Sequence, residues 1–333
     1  MSKKVLITGG AGFIGLNLVN RMLDEGYKVD IVDNFSRAVY DFEFERTLSR
    51  KQVSFFKIDL LDEKFIKDFD VDYDVIFHLA AIIGVTHVLE KPYDVLFNNI
   101  NMLNNMIDLA RRQINLSRFF FASTSEVYAG TLKHFDLPIP TPESTALAVT
   151  DLSHPRTSYM LSKIYGEALC HQSGIPFTLF RPHNVYGPRM GMSHVIPEQL
   201  SKAHNAKNGD NIDVFSIEHT RCFCYIDDAI EMLWRMVETP SCSGKTLNLG
   251  TQNPEVTMKK VAETCFLVVD KELNINAMPN SPGSPSRRGP DMSKTIELID
   301  FESKVSLVNG VKHTYKWYKK HIYTIIPKNF HSN

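Results

Sequence analysis

Tyr159 and Lys163 stand four residues apart, downstream of FFFASTSEVY, a strand-like run that closes on Ser123, Thr124, Ser125 and Glu126. Residues i and i+4 share a helix face, so the phenol and the ammonium are expected to point into one space. A cation beside a phenol favours phenolate and brings a pKa of about 10 towards that of a working general base. The expected chemistry is removal of a hydroxyl proton beside a hydroxyl-rich strand end. Tyr315 and Lys319 repeat the spacing with no such strand ahead of them, and read as a solvated helix face.

A second signal lies near the start. The apolar run Val5, Leu6, Ile7 leads into TGGAGFIG, where Gly9, Gly12 and Gly15 are spaced three apart, and then into Phe13, Ile14, Leu16, Leu18, Val19, Met22 and Leu23 at helical spacing. Glycine permits a tight turn and close approach, and a helix start offers free N–H groups to a phosphate. YKVDIVD then ends in Asp33, at the distance where a carboxylate meets the adenosine ribose of a dinucleotide. A carboxylate there repels a 2′-phosphate, so NAD is expected rather than NADP, with Arg37 the one opposing sign. Asp59 and Leu60, read as the end of the third strand, are expected to cover the adenine.

These residues need a parallel sheet to hold them. Strand-like and helical runs alternate: VLIT, a helix over 14–25, YKVDIVD, VSFFKID, DYDVIFHLAA, a helix over 94–112, RFFFAST, a helix over 158–171, and PFTLFRP. The fold class expected is α/β: a Rossmann-like doubly wound parallel sheet with a smaller α+β C-terminal substrate lobe. Residues 1–181 form the NAD-binding domain, with 222–240 returning to it as an amphipathic helix. Residues 182–221 and 241–325 form the second domain, and 326–333 a tail. Asp227 and Asp228 read as capping residues of the returning helix. Two loops, 129–157 and 279–291, are long enough to be lids, and Arg287 and Arg288 give the second one a ligand-contacting character.

Composition narrows the class. The chain has 333 residues, 37 Lys and Arg against 38 Asp and Glu, and 43% apolar residues. No global charge draws it to nucleic acid, and neither a leader nor a membrane span is expected. Five cysteines without paired spacing read as free thiols in a cytoplasmic protein. No His, Asp and Glu spacing forms a metal ligand set.

TGGAGFIG, Asp33-Asn34, HLAA at 78–81, STSEVY, YMLSK, RPHNVYGP and RRGPDMSK, in this order and nearly end to end, resemble the extended short-chain dehydrogenase/reductase family. Within it they are similar to enzymes that modify nucleotide-diphosphate sugars: epimerases, dehydratases and decarboxylases. The resemblance implies that Tyr159 takes the proton of the sugar C4 hydroxyl while hydride leaves C4 for NAD. Thr124 would bond the same oxygen, and Lys163 would hold the nicotinamide ribose. Asn34, Asn99 and the Leu79, Ala80 and Ala81 backbone would line the cofactor cleft. Asn184, Arg221 and Arg288 would grip the substrate diphosphate, with His183 and His194 beside the same cleft. His78 reads as structural.

The sequence departs from the pattern at Met102-Leu103, where the family has Gly-Thr, and at Ser125, where dTDP-glucose 4,6-dehydratases carry an acid. Glu126 is then a base at C5 or a positioning group for a sugar hydroxyl. The resemblance implies C4 oxidation of a nucleotide-diphosphate hexose or heptose, the 4-keto sugar being released or re-reduced as the 4-epimer. GDP-sugar dehydration and UDP-glucuronate decarboxylation rank after it, and a non-catalytic NAD-binding scaffold is the rival from another class. Apolar stripes on the 94–112 and 158–171 helices imply a homodimer.

Overall fold

Strands buried on both faces read as apolar runs, and the interior of the sheet is built that way. β1 (Lys4–Thr8), β2 (Lys28–Val32), β3 (Val53–Phe56), β4 (Val75–His78), β5 (Arg118–Ala122) and β6 (Phe177–Pro182) pair only in parallel. In chain order, three short strands follow, then β10 (Cys224–Tyr225) and β11 (Lys245–Leu249). The large sheet has seven strands in the order β11-β6-β5-β4-β1-β2-β3. The order reverses between β1 and β4, so the carboxyl ends of those strands open a crevice for a ligand. The computed structural model describes residues 3–62, 67–149, 151–281 and 284–324, and the expected tail at 326–333 lies outside them.

Helix α1 (Phe13–Asp24) follows β1 and buries Leu16, Leu18, Val19, Met22 and Leu23. The opposite face is covered by Pro92–Arg111 and Arg156–Gln172, which pack side by side. The returning helix Ile226–Glu238 packs on α1. Its cap is not as expected: Tyr225 occupies the N-cap, while buried Asp228 accepts hydrogen bonds from the Lys304 and Val305 amides at 3.0 and 2.9 Å.

One expected boundary is corrected. Lys245–Leu249, placed by sequence in the second lobe, pairs parallel with β6 as the seventh strand of the large sheet. Its register with β6 is set by chain segments almost seventy residues apart, which local periodicity cannot convey. The remaining strands form small sheets: β10 with β7 (Val185–Tyr186), β13 (Asn274–Met278) with β8 (Asn211–Phe215), and β9 (Thr220–Arg221) between β12 (Val256–Thr257) and β14 (Arg287–Arg288). The 279–291 loop thus carries a strand that fixes both of its arginines. The 129–157 segment holds the short helix Ala129–His134, and Thr141 bridges to Pro290.

Candidate active site

The glycine turn fits a dinucleotide. Gly9 sits at φ +69°, and a Cβ on it would lie 2.9 Å from the Ala80 amide nitrogen. A Cβ on Gly15 would lie 2.1 Å from the Gly9 carbonyl oxygen, so the helix can start against the turn only without a side chain. The first helical bond runs from the Leu16 amide to the Gly12 carbonyl, and the amides of Phe13, Ile14 and Gly15 precede it at the positive end of the helix. Asp33, just past β2, accepts from the Ala11 amide at 3.1 Å and the Phe35 amide at 2.9 Å. Burial raises the Asp33 pKa, while these amides hold it down. Asn34 donates to Asp59 at 3.2 Å. Asp59 and Leu60 lie in the turn after β3, which ends at Phe56 rather than reaching them.

Leu79 and Ala80 leave β4 with their amides on the Thr8 carbonyl and hydroxyl, at 3.2 and 3.4 Å, and Ala81 continues them along the crevice. Asn99 is buried and fastens this segment: its Oδ1 accepts from the Ile82 amide at 2.7 Å and its Nδ2 donates to the Ile82 carbonyl at 3.1 Å. Beside it, His78 bonds Thr8 Oγ1 at 2.9 Å between the rings of Phe119 and Phe121. Burial, and secondarily the Lys163 charge, push His78 down to about 3, so it serves the structure as a neutral ring.

The chemical residues converge at the end of β5. Thr124 caps a turn of 3-10 helix, its hydroxyl accepting from the Glu126 amide at 3.2 Å, and Ser125 is buried within that turn. Burial pushes the Tyr159 phenol up, as does the charge of Glu126; the Thr124 hydroxyl and the Arg37 charge pull it back. This differs from the reading that Lys163 lowers it. The Lys163 ammonium donates to the Ala122 carbonyl at 2.8 Å and lies 5.8 Å from the Tyr159 ring centre. Helical spacing puts the two residues on one face, but the strand-end carbonyl claims the ammonium. Burial lowers Lys163 to about 8.

Arg288 closes the site from the small sheet. Its Nη1 donates to Glu126 at 2.7 Å and its Nη2 to Asn184 Oδ1 at 3.4 Å. Arg221 is buried and spends its guanidinium on the loop: Nη1 donates to the Thr220 carbonyl at 2.7 Å, and Nη2 to Ser284 Oγ at 3.0 Å and the Pro285 carbonyl at 2.7 Å. Burial and the neighbouring Arg288 charge lower it to about 10. Its place is therefore under the loop that carries Arg288. Desolvation, and then the Arg37 charge, lower His194, which stands before the helix Val195–Asn205. His183 is buried, with Nε2 3.1 Å from Asn248 Oδ1.

Sequence reasoning missed two residues here. Glu167, one turn beyond Lys163, accepts from Ser123 Oγ at 2.5 Å and from Arg181 Nε at 2.8 Å, a buried ion pair under the strand ends. Asn248, on β11, ties three segments together; a buried amide between two leucines was its only signal. Among the described residues no group of three His, Cys, Asp or Glu is placed to share a metal ion, and no helix is long and apolar enough to cross a membrane.

A glycine cradle that a single Cβ would fill, a carboxylate just past β2 and a Thr-Tyr-Lys strand-end site coincide with one family description, NAD dependent epimerase/dehydratase, which matches residues 5–250. The chain belongs to that family. It is an NAD-dependent enzyme of the extended short-chain dehydrogenase/reductase type. It is 31% identical to UDP-N-acetyl-alpha-D-glucosaminuronate decarboxylase of Bacillus cytotoxicus over 96% of this chain and 99% of that one. It is also 31% identical to UDP-glucuronic acid decarboxylase 6 of Arabidopsis thaliana, over 92% and 86%. Among solved structures, UDP-glucose 4-epimerase of Thermotoga maritima with UDP-glucose superposes with a TM-score of 0.81 at 25% identity, over 95% of this chain and 99% of that one. UDP-glucuronic acid 4-epimerase of Bacillus cereus with UDP-glucuronic acid and NAD gives 0.77 at 27%, with the same coverage.

Proposed function

We propose that the enzyme oxidises C4 of a UDP-hexuronate and releases its C6 carboxylate as carbon dioxide. The carrying observation is the Arg288–Glu126 pair beside Thr124 and Tyr159: a cation whose partner is itself a carboxylate, and so replaceable by one. A guanidinium fork matches a carboxylate bidentately. The curated relatives support this reading, since those named above are both uronate decarboxylases. It reverses the order given by sequence, in which the released 4-keto sugar or the 4-epimer came first.

Bound NAD supplies a hydride acceptor at C4. Gly9, Gly12, Phe13, Ile14 and Gly15 hold its pyrophosphate, and Asp33 its adenosine ribose. Tyr159 takes the C4 hydroxyl proton, with the Thr124 hydroxyl fixing that oxygen. A C4 ketone places the C6 carboxylate β to a carbonyl, the arrangement from which carbon dioxide departs. Arg288 orients the carboxylate. Glu126, freed from Arg288, stands next to C5 to relay the proton that replaces carbon dioxide there. C4 then takes back the hydride and its oxygen the Tyr159 proton, so the substrate loses carbon dioxide alone. We assign the nucleotide-sugar grip to the small sheets around β9 and β14, and infer a cytoplasmic homodimer.

A second reading is 4-epimerisation of the same uronate, favoured by the likeness to the Bacillus cereus enzyme. Mass spectrometry of products from NAD with UDP-glucuronate, UDP-N-acetylglucosaminuronate and UDP-glucose separates them. Loss of one carbon dioxide from the uronates is expected, with Arg288→Ala lowering kcat/KM about a hundredfold. A new isomer of unchanged mass makes the enzyme an epimerase. Loss of two hydrogens with reduced cofactor makes it a 4-dehydrogenase, and bound NAD without turnover makes it a scaffold.

A further inference from the structure

Asn248 decides the chemistry of His183. Its Nδ2 donates to two carbonyls, Thr141 at 2.9 Å and Asp291 at 3.0 Å, so its Oδ1 faces the other way as an acceptor. Tyr128 Oη donates to that oxygen at 3.3 Å. His183 Nε2, 3.1 Å from it, must therefore carry the proton. The tautomer is fixed: Nε2–H donates, and Nδ1 keeps a free lone pair.

That lone pair has no partner among the described residues, although His183 is only 1% exposed. Arg288 Nε is the complementary case, a buried N–H that makes no hydrogen bond among the described residues. One group can only accept and the other only donate. They belong to neighbouring pieces of structure. Arg288 Nη2 reaches Asn184, the residue after His183, at 3.4 Å. His183 Cβ and Pro290 Cγ lie 3.1 and 3.3 Å from the point where a Cβ on Gly250 would sit, so the two segments meet over that glycine. Burial, and next the charge of Arg288, lower His183 to about 3, so the ring stays a neutral acceptor throughout the physiological range. Natural proteins leave few buried donors and acceptors unpaired, and a complementary pair at a ligand site is a contact to be completed.

We propose that His183 is a positioning residue for Arg288: its Nδ1 accepts the Arg288 Nε–H once an anionic group of the nucleotide sugar draws the guanidinium off Glu126. The proposal rests on the reading of Arg288 as a ligand-binding cation. It makes His183 a determinant of how tightly the acidic ligand is held, acting through Arg288 and not by touching the ligand.

The test is a binding cycle on the NAD-loaded protein, titrated with UDP-glucuronate and, separately, UDP-glucose. His183→Phe keeps a ring and removes the acceptor; it is expected to weaken UDP-glucuronate binding about tenfold with NAD retained. His183→Asn restores an acceptor at the δ position and should recover binding to within about threefold of wild type. Arg288→Lys keeps the charge without an Nε–H, and in that background His183→Phe should have no further effect. A wild-type affinity for His183→Phe, or the same loss in the lysine background, overturns the proposal. If wild type binds both ligands equally and releases no carbon dioxide, the uronate reading falls, and the cycle is scored with UDP-glucose through its diphosphate. Should His183→Phe fail to fold, nitrogen-15 resonances of the wild-type holoenzyme decide. Nδ1 should move upfield on ligand addition while Nε2 stays; an unmoved Nδ1 overturns the proposal.

Discussion

As the proposed base Tyr159 must be phenolate, and its surroundings in the free protein oppose that form. Burial and the Glu126 charge raise its pKa, whereas the Thr124 hydroxyl and the Arg37 charge lower it. A raised phenol leaves less base at neutral pH, so kcat/KM should climb as pH rises through its titration. Arg37→Ala removes a lowering influence and should move that limb to higher pH, modestly because the exposed guanidinium is screened by salt. Glu126→Gln removes a raising influence and should move it to lower pH. Profiles of kcat/KM against pH check both; displacement in one common direction would disprove the assignment. Tyr159, Thr124 and Glu126 were legible in the sequence because helical spacing and strand-end position fix them. The partner of Lys163 was not, because a carbonyl acceptor carries no residue signature. Asn248 and Glu167 stayed hidden for a related reason: their partners lie on segments that only the tertiary fold brings together.

At the scale of elements, the site depends on how strand ends meet helix starts. Gly15 is the tightest such junction, with the Gly9 carbonyl where its Cβ would be. Gly15→Ala should push α1 off the turn, costing about 1–3 kcal/mol of stability and most of the NAD retention. Urea unfolding and cofactor content after desalting measure the two effects; an alanine variant that keeps both would show the junction to be slack. Glu167 and Arg181 brace the β5 and β6 ends from below, where both side chains are buried. Removing one partner of a buried pair strands the other's charge, so Glu167→Ala should destabilise by about 3–5 kcal/mol. Five of the six strands up to Pro182 were legible because parallel strands buried on both faces have apolar centres. β3, half-exposed at the sheet edge, showed only Val53, Phe55 and Phe56. β11 was not legible. Its five residues, KTLNL, hold only two leucines, and nothing local says which sheet they join.

At the scale of the whole molecule, one clasp ties the cofactor turn to the C-terminal helix. Arg189, in the turn after β7, reaches Asp41 at 2.7 Å and the Ala11 carbonyl at 3.3 Å, and Trp317 donates to Glu43 at 2.6 Å. The cofactor turn and the C-terminal helix Leu307–Tyr318 therefore share anchors at the start of α2 (Phe42–Leu48). The outer face is a different matter. The apolar stripe on Pro92–Arg111 that pointed to a homodimer is largely consumed inside: Val95, Met102, Leu103, Met106, Ile107, Leu109 and Ala110 are all buried. What remains outside is a shorter patch on the two paired helices. Tyr93 is 72% exposed, Phe97 51% and Tyr165 40%, with the Tyr93 and Phe97 rings stacked 5.6 Å apart. Exposed aromatics that stack on each other instead of dispersing are the residues that anchor interfaces. If the homodimer uses this patch, Tyr93→Ser with Phe97→Asp should weaken it at least about a hundredfold, because a charge would then be buried unpaired at its centre. Light scattering across a dilution series measures this. A wild-type protein that stays monomeric would remove the dimer, and a dimer indifferent to the double substitution would move its interface elsewhere.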